Sequence, residues 1–134
     1  LDYINLLKNN DLKVTPQRLI IVKELDTKGH MSIDDLYIAL HSAFPSISLA
    51  TIYKNINVMI NKLFIQEVKI PNEKSVYELA KEEHAHALCV KCNAIMDMNL
   101  DVSKFIRKAE TLSNYSLSKS SVIFSGICPT CQMS

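Results

Sequence analysis

Glycine occurs only twice in this chain and tryptophan not at all. No phosphate-cradling glycine loop and no nucleophile–base pair can be picked out, so an enzyme is not expected. No apolar run approaches the roughly 18 residues of a transmembrane helix. The start, Leu1-Asp2-Tyr3, lacks a signal-peptide pattern. The expectation is a soluble cytoplasmic protein with no membrane partner. There is no internal repeat and no low-complexity tract. Charge of one sign is also missing: residues 1–64 hold seven Lys/Arg against six Asp/Glu, and residues 65–134 hold eight against eight. Charge alone therefore does not announce a nucleic-acid binder.

What is present is enough for one medium domain or two small ones in 134 residues. A hydrophobic content of 48% suits a packed core, and 22% charged residues argue against disorder. The chemistry concentrates in His84-Ala85-His86-Ala87-Leu88-Cys89-Val90-Lys91-Cys92 and in a second Cys-x-x-Cys, Cys128-Pro129-Thr130-Cys131. Two such pairs point to one tetrahedral thiolate zinc site, each pair giving two sulfurs from a tight knuckle. In a reducing cytosol these cysteines suit metal binding better than disulfides. His84 and His86 cannot join a closed four-sulfur shell. They alternate on a strand and so share a face, which suits a second, more open metal site.

The first half reads as helical. A short helix spans Asp2 to Asn10. Thr15-Pro16 opens a second, which runs to about Gly29. Ser32 caps a third, with Asp34 and Asp35 in its first turn, and Phe44-Pro45 stops it. A fourth covers Ser48–Leu63, with Leu49, Ile52, Ile56, Met59, Ile60 and Leu63 on one face. Its other face carries Thr51, Lys54 and Asn57, with Tyr53 on the flank. Such a short, amide-rich face suits a major groove, although the helix alone is better read as a plain solvated surface, and it is the context that shifts the balance. Residues 64–70 and 75–79 read as a strand pair around the turn Pro71-Asn72-Glu73-Lys74. Three helices and a hairpin make a winged helix-turn-helix plan with residues 48–63 as recognition helix.

Residues 80–83 read as a hinge between a DNA-binding domain, 1–79, and a metal-binding domain, 84–134. In the latter, 86–90 and 94–98 are expected strands flanking the first Cys knuckle. Asp101 is expected to cap a helix with a buried stripe of Val102, Phe105, Ile106, Ala109 and Leu112. A last strand is expected over 117–127. About 50 residues make a small core, so zinc and pairing with a second copy are expected to supply the missing stability. The fold class is thus α+β: a winged helix, then a small α/β dimerisation domain built on a four-cysteine zinc site.

The Thr15-Pro16-Gln17-Arg18 start of the second helix, Ser48-Leu49-Ala50-Thr51-Ile52-Tyr53, His-x-His-x-x-Cys-x-x-Cys and the terminal Cys-x-x-Cys together resemble the ferric uptake regulator family, over nearly the whole chain. The resemblance implies a dimeric, metal-dependent transcriptional repressor, similar in particular to the peroxide-responsive branch. It implies a regulatory Fe(II) or Mn(II) held by His30, Glu78, His84, His86 and Asp97. Iron-uptake members tend to carry Glu where this chain has Asp97, while the peroxide branch often has Asp in place of Glu78. Histidines that bind a third metal in many members have no counterpart in Ser118-Lys119-Ser120-Ser121, so no third site is expected. His41 matches nothing and is expected at the surface.

Three imidazoles and two carboxylates suit Fe(II) or Mn(II), although affinity order alone favours zinc. His30 belongs to the first domain and the others lie at or beyond its end, so one ion is expected to clamp the two domains and to release them when a ligand is lost. The expected partners are a second copy and an A/T-rich palindromic operator contacted by Ser48, Thr51, Tyr53, Lys54 and Asn57, with Arg18 adding a phosphate or minor-groove contact. Hydrogen peroxide is the expected signal, read through iron-catalysed oxidation of a ligand histidine. Two neighbouring functions remain open: an iron-responsive uptake regulator, and a cysteine/zinc thiol switch. A zinc-stabilised protein adaptor is a third, supported by the low net charge and opposed by the outward face of the fourth helix.

Overall fold

Capping side chains set the register of the first helices. In the computed structural model, which describes residues 2–80, 84–118 and 120–133, the chain divides into two compact units, Leu1–Ala80 and Lys81–Ser134. The expected hinge falls mostly on residues 81–83, outside the described residues. In the first unit, α1 (Tyr3–Asn9) is capped by Asp2, whose carboxylate accepts from the Asn5 N–H at 3.1 Å. Helix α2 (Pro16–Lys28) has the Thr15 hydroxyl accepting from the Arg18 N–H, proline at its first turn, and Gly29 at φ 83° as its terminator. Helices α3 (Ile33–Ala43) and α4 (Leu49–Asn61) are capped likewise by Ser32 and Ser48.

These helices bury one core. Leu7, Ile21, Leu25, Leu36, Leu40 and Ile52 are each at most 1% exposed. A three-stranded antiparallel sheet closes the unit in the order β1-β3-β2, from β1 (Met31–Ser32), β2 (Ile65–Val68) and β3 (Val76–Leu79). The two-residue β1 has no counterpart in the sequence reading. It is too short to leave a periodic trace, and only its pairing with β3 defines it. Lys74, in the β2–β3 turn, meets Asp34 in the first turn of α3 at 2.6 Å. The unit is a winged helix-turn-helix.

The end of α4 departs from expectation. The helix stops at Asn61, and Leu63 takes φ 60°. The Phe64 N–H reaches the Met59 carbonyl at 3.0 Å and the Leu63 N–H reaches Ile60 at 2.9 Å, which is a Schellman closure. That turn throws Leu63 out of the apolar stripe to 82% exposure, while Phe64 takes the inward place beside Met59. Leu49, at the other end of the stripe, is also exposed. A left-handed conformation costs an L-residue about 1–2 kcal/mol. Glycine avoids that cost but has more freedom to lose on folding, so Leu63→Gly should raise stability by roughly 0.5–1 kcal/mol, read as a higher unfolding midpoint. A lowered midpoint would mean that the exposed leucine is held by contacts of its own.

The second unit is organised on β4 (Ala85–Cys89). Strand β5 (Ile95–Met98) pairs with it antiparallel and β6 (Ile123–Gly126) pairs parallel on its other side. Strand β6 is much shorter than the expected 117–127. Helix α5 (Ser103–Ser113) begins one residue later than an Asp101 cap implies: Val102 holds the cap position and makes no side-chain bond. Asp101 nonetheless accepts from the Ser103 N–H at 3.0 Å, and from its hydroxyl, so it still serves the first turn. Of the expected α5 stripe only Val102, at the cap position, is buried in this chain. Phe105 is 65% and Leu112 76% exposed, and no residue of the helix proper is buried. Helical spacing fixes which side chains share a face; it does not say what covers that face. A four-residue helix, α6 (Pro129–Gln132), ends the unit.

Candidate metal sites and nucleic-acid face

The four cysteines come together within the second unit. Cys89 ends β4, and a tight turn follows in which Asn93 adopts φ 63° and its N–H returns to the Cys89 carbonyl at 2.8 Å. This turn carries Cys92. Cys128 caps α6 with its sulfur, accepting from the Cys131 N–H at 3.4 Å, and Pro129 fills the first helical position. All four sulfurs lie within 4.8 Å of one another, with Cys92 Sγ and Cys128 Sγ 3.8 Å apart. Sulfurs about 2.3 Å from a tetrahedral zinc sit roughly 3.8 Å from each other, so the cradle fits that ion.

The backbone prepares it unevenly. The Cys128 N–H, then those of Cys92 and Lys91, stabilise a thiolate at Cys89 and pull its pKa down to about 6, against the opposing effect of burial. The Cys131 thiol is pushed up to about 12, first by its hydrogen bond with Cys128, then by burial and by the other sulfurs. Four thiols around one point cannot all ionise unless a cation joins them. A zinc ion bound there would supply that charge and close the shell.

A second group of donors also lies in this unit. His84 and His86 project from the same side of the strand, and the β4–β5 register sets His86 directly opposite Asp97. His84 Nε2 and His86 Nε2 are 3.1 Å apart, and Asp97 Oδ1 lies 3.2 Å from His86 and 3.6 Å from His84. Their rings meet edge to face, with centroids 4.5 Å apart. Neighbouring ligands about 2.1 Å from a shared ion stand roughly 3.0–3.4 Å apart, so these three atoms suit one ion. His86 is 5% exposed, which shields the position from bulk water.

The first unit holds a pair of its own. His30 follows the Gly29 terminator of α2, and its Nε2 lies 2.8 Å from Oε2 of Glu78 on β3. Glu78 is fully buried. Gln66, opposite Glu78 across the β2–β3 ladder, donates its amide to Oε1 of the same carboxylate. Sequence reasoning missed Gln66, although the hairpin register would have revealed it. His41 is exposed on α3, with its ring 5.4 Å from that of Tyr37.

On α4, Tyr53, Lys54 and Asn57 lie on the exposed face. Ser48 and Thr51 are engaged locally: the Ser48 hydroxyl accepts from the Thr51 N–H at 3.2 Å, and the two hydroxyls are 3.0 Å apart. Arg18 is oriented rather than loose. Its Nε donates to Asn55 Oδ1 and one terminal nitrogen to the Lys13 carbonyl, both at 3.0 Å. Asn55 in turn donates to the Thr51 carbonyl within α4 at 3.1 Å, so the Arg18–Asn55 bond ties α2 to α4, a link that sequence reasoning also missed.

A winged helix joined to a small α/β unit with a four-thiolate cradle defines a metal-binding transcriptional regulator. The chain belongs to the ferric uptake regulator family, whose sequence profile matches residues 9–125. It is 30% identical over 133 residues to the peroxide-responsive repressor PerR of Staphylococcus saprophyticus, covering 98% of this chain and 90% of that one. Among solved structures, the Campylobacter jejuni peroxide stress regulator superposes with a TM-score of 0.75 at 34% identity, covering 98% of this chain and all of that one (100%). A zinc uptake regulator complexed with zinc and DNA gives a TM-score of 0.80 at 20% identity over 98% of this chain and 91% of that one, a likeness of fold alone. Members of the family are transcriptional regulators, not enzymes, and bind DNA as dimers. This chain is a repressor resembling the peroxide-responsive branch. No described helix is long and apolar enough to cross a membrane.

Proposed function

We propose that this chain is a homodimeric repressor that holds an A/T-rich palindromic operator while a regulatory Fe(II) or Mn(II) is bound, and releases it after peroxide has oxidised a ligand histidine. Residues 1–79 bind DNA, 84–134 bind metal and the second copy, and 80–83 join them. The observation that carries this reading is the convergence of His84, His86 and Asp97 at ligand-to-ligand spacing in one unit. His30 and Glu78 in the other unit complete the donor set. Bound iron supplies one-electron reduction of peroxide, which manganese does not readily do. The chain's part is to hold imidazoles within reach of that chemistry and to keep bulk water from buried His86. The exposed Phe105, Leu112 and Phe124 offer an apolar face for the second copy.

DNA contact is assigned to α4. Lys54 supplies a phosphate contact, Tyr53, Thr51 and Asn57 supply contacts to base edges, and Arg18 is held ready for the backbone or minor groove. Ser48 fixes the first turn of the helix, where it meets the groove. Lys54→Ala should weaken operator binding and flatten its salt dependence by about 0.9 in log–log slope for each phosphate no longer neutralised. The measurement is a gel-shift series over salt with the metal-loaded protein. If a Tyr53→Ala/Lys54→Ala double variant binds as tightly as the parent, α4 is not the recognition helix.

A further inference from the structure

Glu78 is a carboxylate at 0% exposure, and a buried carboxylate is costly unless both oxygens are engaged. Its two oxygens are engaged differently. Oε2 faces His30 Nε2 at 2.8 Å, whereas Oε1 receives the Gln66 side-chain amide. An ionised carboxylate only accepts hydrogen bonds, so Gln66 must present its NH2 group and not its carbonyl oxygen. The arrangement is fixed by the sheet. Gln66 stands opposite Glu78 in the β2–β3 ladder, and β1, which begins just after His30, pairs Met31 with Tyr77 on the other side of β3. Gln66 and Glu78 therefore come from paired strands of one small sheet, and His30 from the residue just before its third strand.

We propose that Gln66 is a positioning residue for the regulatory metal: by holding Oε1 of Glu78 it leaves Oε2 as the ligand oxygen and makes Glu78 a one-oxygen ligand. The inference rests on the reading of His30 and Glu78 as regulatory ligands. A carboxylate that gives one oxygen suits a compact coordination shell. One able to bite with both suits a larger and more irregular shell. Gln66 thus selects for ion size and geometry without touching the ion. Partners of this kind usually tune metal affinity about 10–100-fold. Gln66 is half-buried and lies in no part of the four-cysteine cradle, so the zinc there serves as an internal control.

The test uses the full zinc-loaded chain and Mn(II) as probe. Gln66→Met keeps the length of the side chain and removes the donor; Gln66→Leu also removes the donor with a shorter, branched side chain, should one of them misfold. Both are expected to bind Mn(II) about 10–100-fold more weakly and to alter the electron paramagnetic resonance pattern of the bound ion. Zinc content should stay near that of the parent, and the thermal midpoint should fall modestly because Oε1 of Glu78 loses its donor. Glu78→Gln is the companion variant and should lose Mn(II) binding. If Glu78→Gln loses Mn(II) while both Gln66 variants keep parental affinity and spectrum, the positioning role is overturned and the ligand reading stands. If Glu78→Gln keeps parental Mn(II) affinity, the ligand reading itself fails. If both Gln66 variants lose zinc and midpoint together with Mn(II), Gln66 is a folding residue and the proposal is overturned.

Discussion

Cys131→Ser should release about one zinc per chain and unfold the second unit while leaving the first intact. The expectation follows from how little else holds that unit. Among the described residues its buried apolar ones are Ala85, Leu88, Cys89 and Val102, whereas the first unit buries a continuous cluster running from Leu7 to Tyr77. One of the four, Cys89, is itself a proposed ligand. Structural zinc contributes on the order of 10–16 kcal/mol of apparent binding free energy at neutral pH, comparable with the whole stability of a typical small domain, about 5–15 kcal/mol. Serine cannot supply the fourth thiolate. Three sulfurs then face one another without the full charge balance that lets them ionise. Zinc release measured with a chromophoric chelator, beside far-ultraviolet circular dichroism, checks both halves. Helical signal from α2, α3 and α4 should persist. A variant that retains stoichiometric zinc and the parental midpoint would remove the cradle from the account.

The second large effect is the response to peroxide. With Fe(II) in the regulatory site, a brief low dose should add one oxygen atom to His30 or His84 and lower operator affinity. With Mn(II) neither change is expected. The protein would determine where such an oxidation falls. His84 lies at the edge of β4, 3.1 Å from His86, and His30 stands beside fully buried Glu78. The cysteines would be protected differently, by coordination in a closed shell. A zinc-bound thiolate is a poorer target at low dose than the free thiolate that Cys89 would otherwise present. Loss of one imidazole ligand then weakens the proposed link between the two units. A coupling of about 1–3 kcal/mol corresponds to roughly 5–150-fold in operator affinity.

How much of this is legible in the sequence depends on whether a signal is local. Thr15-Pro16, Ser32 and Ser48 announce their helices because a cap satisfies backbone groups a few residues away. The paired Cys-x-x-Cys motifs announce a zinc cradle because each knuckle is short. His84 and His86 share a face by strand periodicity alone. The end of α4 escapes sequence reasoning because a left-handed terminator is usually glycine or asparagine, and here it is Leu63. The α5 stripe reads as core because amphipathicity looks the same whether the covering surface lies in this chain or in another. Gln66 and Asn55 stay hidden because a lone amide has no pattern; its meaning comes only from what stands across the ladder or the helix pair.

The most direct test compares Fe(II)- and Mn(II)-loaded protein after one brief low dose of hydrogen peroxide. Peptide mass spectrometry of residues 24–54 and 82–91 is run on the same samples as an operator gel shift. The account predicts one added oxygen on His30 or His84 in the iron sample only, rising in step with the loss of DNA binding while all four cysteines stay reduced. Oxygen on a cysteine that tracks the loss, with both histidines untouched, would contradict it in favour of a thiol switch. Untouched histidines and cysteines, with DNA released only when iron is withdrawn, would contradict it in favour of an iron sensor.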